Sequence, residues 1–124
     1  MIKGIGCDII ELERIKKALA RENFCKRIFT PKELEYAAKK GESGSVSSLA
    51  AAFAAKEAAS KALGVGIGKV SWQDIEVAHD DKGKPYLILI NEALKIAQEL
   101  KVTAVYVSLS HSKEYAIATV VLEG

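Results

Sequence analysis

Two cysteines, two prolines, two histidines and one tryptophan are all that this 124-residue chain holds of each type. Cys7 and Cys25 stand 18 positions apart, with no CxxC pair and no histidine close by in sequence. They read as free or buried thiols in a reducing compartment. No apolar run reaches transmembrane length, and Ile2–Ile10 is too short and too interrupted for a secretory h-region. The chain is therefore expected to be soluble and cytoplasmic, with no membrane partner. Charge of one sign is not in excess: 18 Lys and Arg against 16 Asp and Glu leave a formal +2. That is too little to argue for nucleic acid, so any basic patch is local. The dinucleotide fingerprint fails at Gly4-Ile-Gly6-Cys7-Asp8-Ile9, which lacks its third glycine, and no Walker pattern occurs. There are no internal repeats.

What is present is globular composition, 49% hydrophobic and 27% charged, enough for one domain over residues 1–124 with a modest core. Its most distinctive stretch is Ser45–Gly64, alanine-rich and free of proline and internal glycine, which predicts a long helix. Ser45, Ser47 and Ser48 offer N-cap oxygens, and Gly64 can take the left-handed C-terminal cap. Leu49, Phe53, Glu57 and Lys61 follow at intervals of four along one side. Glu57 and Lys61 thus continue an apolar stripe with charge. They read either as a surface i, i+4 pair or as groups that meet a partner, metal or ligand.

The remaining elements follow from period and punctuation. Residues 1–10 read as a strand with Ile5, Cys7 and Ile9 on one face and Gly4, Gly6 and Asp8 on the other. The two glycines mark close approach by another backbone or a ligand. Residues 11–21 form an amphipathic helix in which Leu12, Ile15 and Leu19 make the apolar stripe. Arg14, Lys17 and Arg21 make a basic one that is either solvated or suited to an acidic protein. Phe24–Phe29 reads as a short helical turn. Thr30-Pro31-Lys32-Glu33 is a capping box that starts a helix to about Lys40, and Gly41–Gly44 reads as a polar loop. Gly64–Lys69 follows a helix rather than preceding one, so an exit turn fits it at least as well as an anion loop.

Trp72–Val77 and Tyr86–Ile90 predict a hairpin across His79–Pro85, where His79-Asp80-Asp81 is a polar loop or a weak metal cluster. Asn91–Leu100 predicts a helix capped by Asn91. Thr103–Leu109 and Tyr115–Leu122 predict a second hairpin across Ser110–Glu114. The order gives an α+β fold: a small, mostly antiparallel sheet packed with a long central helix and shorter helices.

Several side chains carry chemistry. Ser110 and His111 are adjacent in an extended stretch and point to opposite sides, and no acidic third member is nominated, so serine-hydrolase chemistry is unsupported. Ser, His and Lys on one turn do suit phosphate oxygens. Asp8 and Glu57 are the kind of carboxylate pair Mg²⁺ takes, with water and substrate phosphates completing its shell. Lys61, one turn past Glu57, is placed to neutralise a phosphate leaving group.

Gly4-Ile-Gly6-Cys7-Asp8-Ile9-Ile10-Glu11-Leu12-Glu13-Arg14-Ile15 and Phe53-Ala54-Ala55-Lys56-Glu57-Ala58-Ala59-Ser60-Lys61-Ala62-Leu63-Gly64 resemble the two signatures of the phosphopantetheinyl transferases, in their short form. Trp72–Val77, Gly83-Lys84-Pro85 and Val107–Ala116 also look like that family and occur in the same order. The resemblance implies Mg²⁺-dependent transfer of phosphopantetheine from coenzyme A to a serine of apo acyl carrier protein, in fatty acid biosynthesis. It implies Asp8 and Glu57 as metal ligands, with Glu57 and Lys61 catalytic. Lys61, Gly64, Ser110 and His111 would bind coenzyme A, the last two from a neighbouring subunit. Such enzymes are typically homotrimers with sites at subunit interfaces. Arg14, Lys17 and Arg21 would face the acidic carrier protein. One departure is Ala52, where many relatives carry an arginine, taken to serve the nucleotide end of coenzyme A.

Overall fold

A computed structural model describes residues 1–124. In chain order its elements are β1 (Ile2–Glu11), α1 (Leu12–Leu19), α2 (Glu22–Ile28), α3 (Pro31–Ala38), α4 (Gly41–Ala62), β2 (Ile75–His79), β3 (Pro85–Leu89), α5 (Asn91–Glu99), β4 (Ala104–His111) and β5 (Tyr115–Glu123). The α+β class is as expected. All strand pairing is antiparallel, but the strands divide into a three-stranded sheet ordered β1-β5-β4 and a separate β2-β3 hairpin.

The long helix α4 lies on the inner face of the three-stranded sheet, and small side chains on both surfaces let them approach closely. Ala54, Ala55 and Ala58 of α4 and Ala116, Ala118 and Val120 of β5 are fully buried. A Cβ on Gly4 would overlap the carbonyl oxygen of Ala62, and one on Gly6 that of Ala58. The close approach marked by those glycines is therefore made by the α4 backbone. The face split of β1 is also as read, with an inversion of polarity. Its glycine side is packed, while Ile5 and Ile9 on the more apolar side remain 66% and 59% exposed.

The capping box of α3 forms as expected, with Thr30 Oγ1 accepting from the Glu33 amide and Glu33 Oε1 from the Thr30 amide. Gly64 takes its left-handed conformation at φ +79° just past the end of α4. Five expectations are corrected. Gly41–Gly44 is not a loop but the first turn of α4. Gly41, at φ +78°, makes the whole reversal from α3, so the polar residues after it are free to be helical. Ser45, Ser47 and Ser48 therefore lie inside the helix and cap nothing; Ser47 Oγ donates back to the Ser43 carbonyl at 3.2 Å. The strand expected from Trp72 begins at Ile75, because Trp72–Asp74 is a 3₁₀ turn with Ser71 and Asp74 bonded reciprocally. Asn91 does not cap α5. Ile90 holds that position, and Asn91, at φ +51°, sends its side-chain amide to Asp74 Oδ1 at 3.3 Å. Arg21 lies beyond α1, as the extended residue that opens α2.

Candidate active site

The tight glycine contact brings the inner face of β1 onto α4 and carries Asp8 to the helix one residue pair beyond Gly6. Lys61 Nζ reaches Asp8 Oδ1 at 3.2 Å and also donates to the Cys7 carbonyl at 3.1 Å. The i, i+4 spacing offered Lys61 to Glu57, but the ion pair it forms is with Asp8 across the two elements. Glu57 is left half-buried without a cationic partner of its own. Burial first, and then the charge of Asp8, push its carboxyl above the usual range, while Lys61 and Arg14 pull the other way. Two carboxylates within electrostatic reach of each other, with a lysine on one of them, form a donor set suited to a hard cation that keeps water and phosphate in its shell. The set is two carboxylates, and no group of three or more His, Cys, Asp or Glu side chains placed to hold a metal occurs here or elsewhere in the chain.

Arg14 of α1 is near enough to Glu57 for its charge to favour the ionised carboxylate. Arg14, Lys17 and Arg21 are all exposed, and the Arg21 guanidinium lies 5.9 Å from the centroid of the Phe24 ring. Gly64 is exposed at the Lys61 end of α4, its amide donating to the Lys61 carbonyl at 3.0 Å.

Ser110 and His111 are not in the hairpin turn but in β4, and within one chain they do not join Asp8. Ser110 pairs with Ile117, which pairs with Ile9, on the open face of the sheet. Asp8 pairs with Ala118 on the opposite, inner face. His111, paired with Ala116, is on the inner side and at the same end of the sheet, but on the other outer strand, with β5 between it and β1. There it lines a cavity of about 330 Å³ together with Lys40, Ser47, Ser48, Ala52 and His79. Ala52 lies five residues before Glu57, about 7.5 Å away along the helix axis.

Sequence reasoning missed the other groups of this cavity. His79, read only as part of a polar loop, stacks on Tyr36 with centroids 3.9 Å apart, and burial and Lys40 lower its pKa. Asp80 is occupied in holding its turn, accepting from the Lys82 and Lys84 amides. Neither contact is encoded in a period, because each joins residues set by tertiary packing or turn geometry.

A sequence profile described as the 4′-phosphopantetheinyl transferase superfamily matches residues 4–120. The chain belongs to this superfamily. Among its relatives, holo-[acyl-carrier-protein] synthase of Alkaliphilus metalliredigens is 51% identical over 119 residues, 95% of this chain and 96% of that protein. Two solved structures extend the likeness to the whole superfamily fold seen here. The Bacillus anthracis holo-(acyl-carrier-protein) synthase in complex with CoA (3′,5′-ADP) is 50% identical, with a TM-score of 0.83 over 98% of this chain and 96% of that one. The Neisseria meningitidis holo-[acyl-carrier-protein] synthase is 39% identical, with a TM-score of 0.89 over both complete chains. The profile spans Asp8, Glu57, Lys61, Ser110 and His111 alike.

Proposed function

We propose that this chain transfers the 4′-phosphopantetheine arm of coenzyme A to a serine hydroxyl of an apo acyl carrier protein, releasing adenosine 3′,5′-bisphosphate. The reaction is Mg²⁺-dependent and serves fatty acid biosynthesis in the cytoplasm. The observation that carries the proposal is the meeting of Asp8, Glu57 and Lys61 from two elements that the glycines hold together. A module that only bound an acidic protein through Arg14, Lys17 and Arg21 would have no use for that trio.

Asp8 and Glu57 are the residues that would hold the metal, which when bound neutralises and orients the pyrophosphate of coenzyme A. Lys61, half-exposed and anchored on Asp8, points its remaining donor capacity at the leaving phosphate. Glu57, its carboxyl pKa raised by burial and by the charge of Asp8, is suited to take the serine proton directly or through a water. The serine oxygen then bonds to the β-phosphorus while the bond to the bridging oxygen breaks, and the bisphosphate leaves with that oxygen. Arg14, Lys17 and Arg21 dock the acidic carrier beside these groups.

Ser110 and His111 enter this reading as gifts of a second subunit. The open sheet face bears Ile5, Ile9, Tyr106 and Ile117, all exposed in the single chain, and an apolar surface of this kind is normally covered. In a homotrimer that covers this face, Ser110 and His111 of one subunit would complete a site with Asp8 and Glu57 of the next. Coenzyme A would span the two, with Gly64 at the Lys61 end and Ala52 at the nucleotide end.

Mass spectrometry of an apo acyl carrier protein incubated with this protein, coenzyme A and Mg²⁺ tests the reading. A gain of one phosphopantetheine that disappears with chelator is expected. No gain with any of several carriers would overturn it.

A further inference from the structure

The residue before Glu57 is the only buried side chain larger than serine on α4 between Leu49 and Leu63. Every other buried position in that interval is alanine or serine, whereas Lys56 is completely inaccessible. Its ammonium has three protons and three acceptors: the Trp72 carbonyl at 3.1 Å, the Ile75 carbonyl, and Glu33 Oε1 at 2.9 Å. Glu33 is used up in the same way, taking the Thr30 amide on Oε1 and the Val77 amide on Oε2 at 2.7 Å. One ion pair thereby ties α3, α4, the 3₁₀ turn and β2, and no buried side-chain polar atom is left unpartnered.

A buried ion pair adds little net stability over an apolar pair of the same size; what it adds is geometry. Geometry is what α4 otherwise lacks. A helix faced with alanine presents shallow ridges, so packing alone discriminates weakly between neighbouring rotations and axial settings. The glycine contacts set how close β1 lies to α4, whereas three donors aimed at three fixed acceptors are satisfied in one register. Trp72, whose carbonyl takes one of them, also stacks its ring on Phe53 of the same helix at 4.8 Å.

We propose that Lys56 and Glu33 are a positioning pair for the reaction, holding α4 in the register that sets Glu57 against Asp8. This rests on the proposed function, in which those two carboxylates hold the metal. The test is the double variant Lys56→Met with Glu33→Gln, which removes both charges at nearly constant side-chain length, and in which Gln keeps one acceptor oxygen for the two amides that Glu33 holds on separate oxygens. Thermal melts followed by circular dichroism establish that it is folded at the assay temperature. Mn²⁺ binding in the presence of coenzyme A is then read by electron paramagnetic resonance, beside kcat and KM.

The dissociation constant for Mn²⁺ should rise by ~10-fold or more, as for loss of groups that orient metal ligands. We expect kcat to fall in proportion, with the KM values for coenzyme A and carrier changing less than about two-fold. A role confined to stability would lower the melting temperature and leave the folded enzyme's Mn²⁺ affinity alone, and that result overturns the proposal. A wild-type protein that bound no Mn²⁺ would overturn the metal reading and the positioning role together, so the two failures are distinguishable. Should the double variant not fold, Glu33→Gln alone keeps Lys56 and its two carbonyl acceptors, removes the carboxylate charge and gives up one of the two acceptor oxygens. It should raise the Mn²⁺ constant by ~3-fold, and an unchanged value would equally refute the idea.

Discussion

Glu57 holds its proton to higher pH than an ordinary carboxyl because it is half-buried and faces Asp8. Its folded pKa lies above its unfolded one, so the native state binds the extra proton. Stability from this residue is therefore present in acid and lost as pH rises through the window between the two values. At neutral pH the ionised Glu57 opposes folding, a strain suited to a group waiting for a cation. Glu57→Gln should accordingly melt at the same temperature as the parent or higher, while transfer falls by about two orders of magnitude or more. Calorimetry and the carrier-loading assay check the two halves; a variant that melted lower or kept its activity would contradict this account. In the parent, activity should also drop on acidification earlier than an ordinary carboxylate would dictate.

The pairing of β1 with α4 belongs to the scale of elements. Neither Gly4 nor Gly6 is required by positive φ; both are required by the backbone opposite. Gly6→Ala would drive a methyl group into the Ala58 carbonyl, where no flexible side chain can give way. We expect a loss of more than about 2 kcal/mol in denaturant unfolding and, in whatever remains folded, a displaced Asp8 and weakened transfer. A Gly6→Ala protein with native stability and activity would show that the contact is looser than it appears. Much at this scale was legible beforehand. The glycines announced a close approach, alanine content and the Gly64 stop announced α4, and Thr30-Pro31-Lys32-Glu33 announced α3. Gly41–Gly44, Trp72–Asp74 and Asn91 were misread because flanking structure overrides weak local preference there. The second duty of Glu33 was also hidden. Its place in a capping box explained its presence fully, and the i, i+4 rule never points to a lysine on another helix.

For the whole molecule, the informative fact is that Ser110 and His111 do not reach Asp8 within one chain. If each site draws on two subunits, then Asp8→Ala and His111→Ala proteins, each inactive alone, should regain activity when unfolded and refolded as a mixture. Random assembly restores about a quarter of the sites, each taking its intact half from either subunit. Absence of any recovery would place the whole site within a single chain. Ile117→Asp on the open face should give monomers in sedimentation analysis and lose transfer with them.

The identity of the proposed reacting groups was written in the chain. Asp8, Glu57 and Lys61 are named by residue type and by their place in two recognisable stretches, and the helix, strands and caps around them follow from local period and turn chemistry. Tertiary structure alone decided which of those groups pair. Lys61 turns from Glu57 to Asp8, Lys56 finds Glu33 and two carbonyls, and His111 faces a cavity away from the carboxylates. The reason is physical. Period and capping act over a few residues of one element, whereas the partner of a charge is set by which backbones can come close. Here that depended on the two glycines of β1 meeting a helix of alanines.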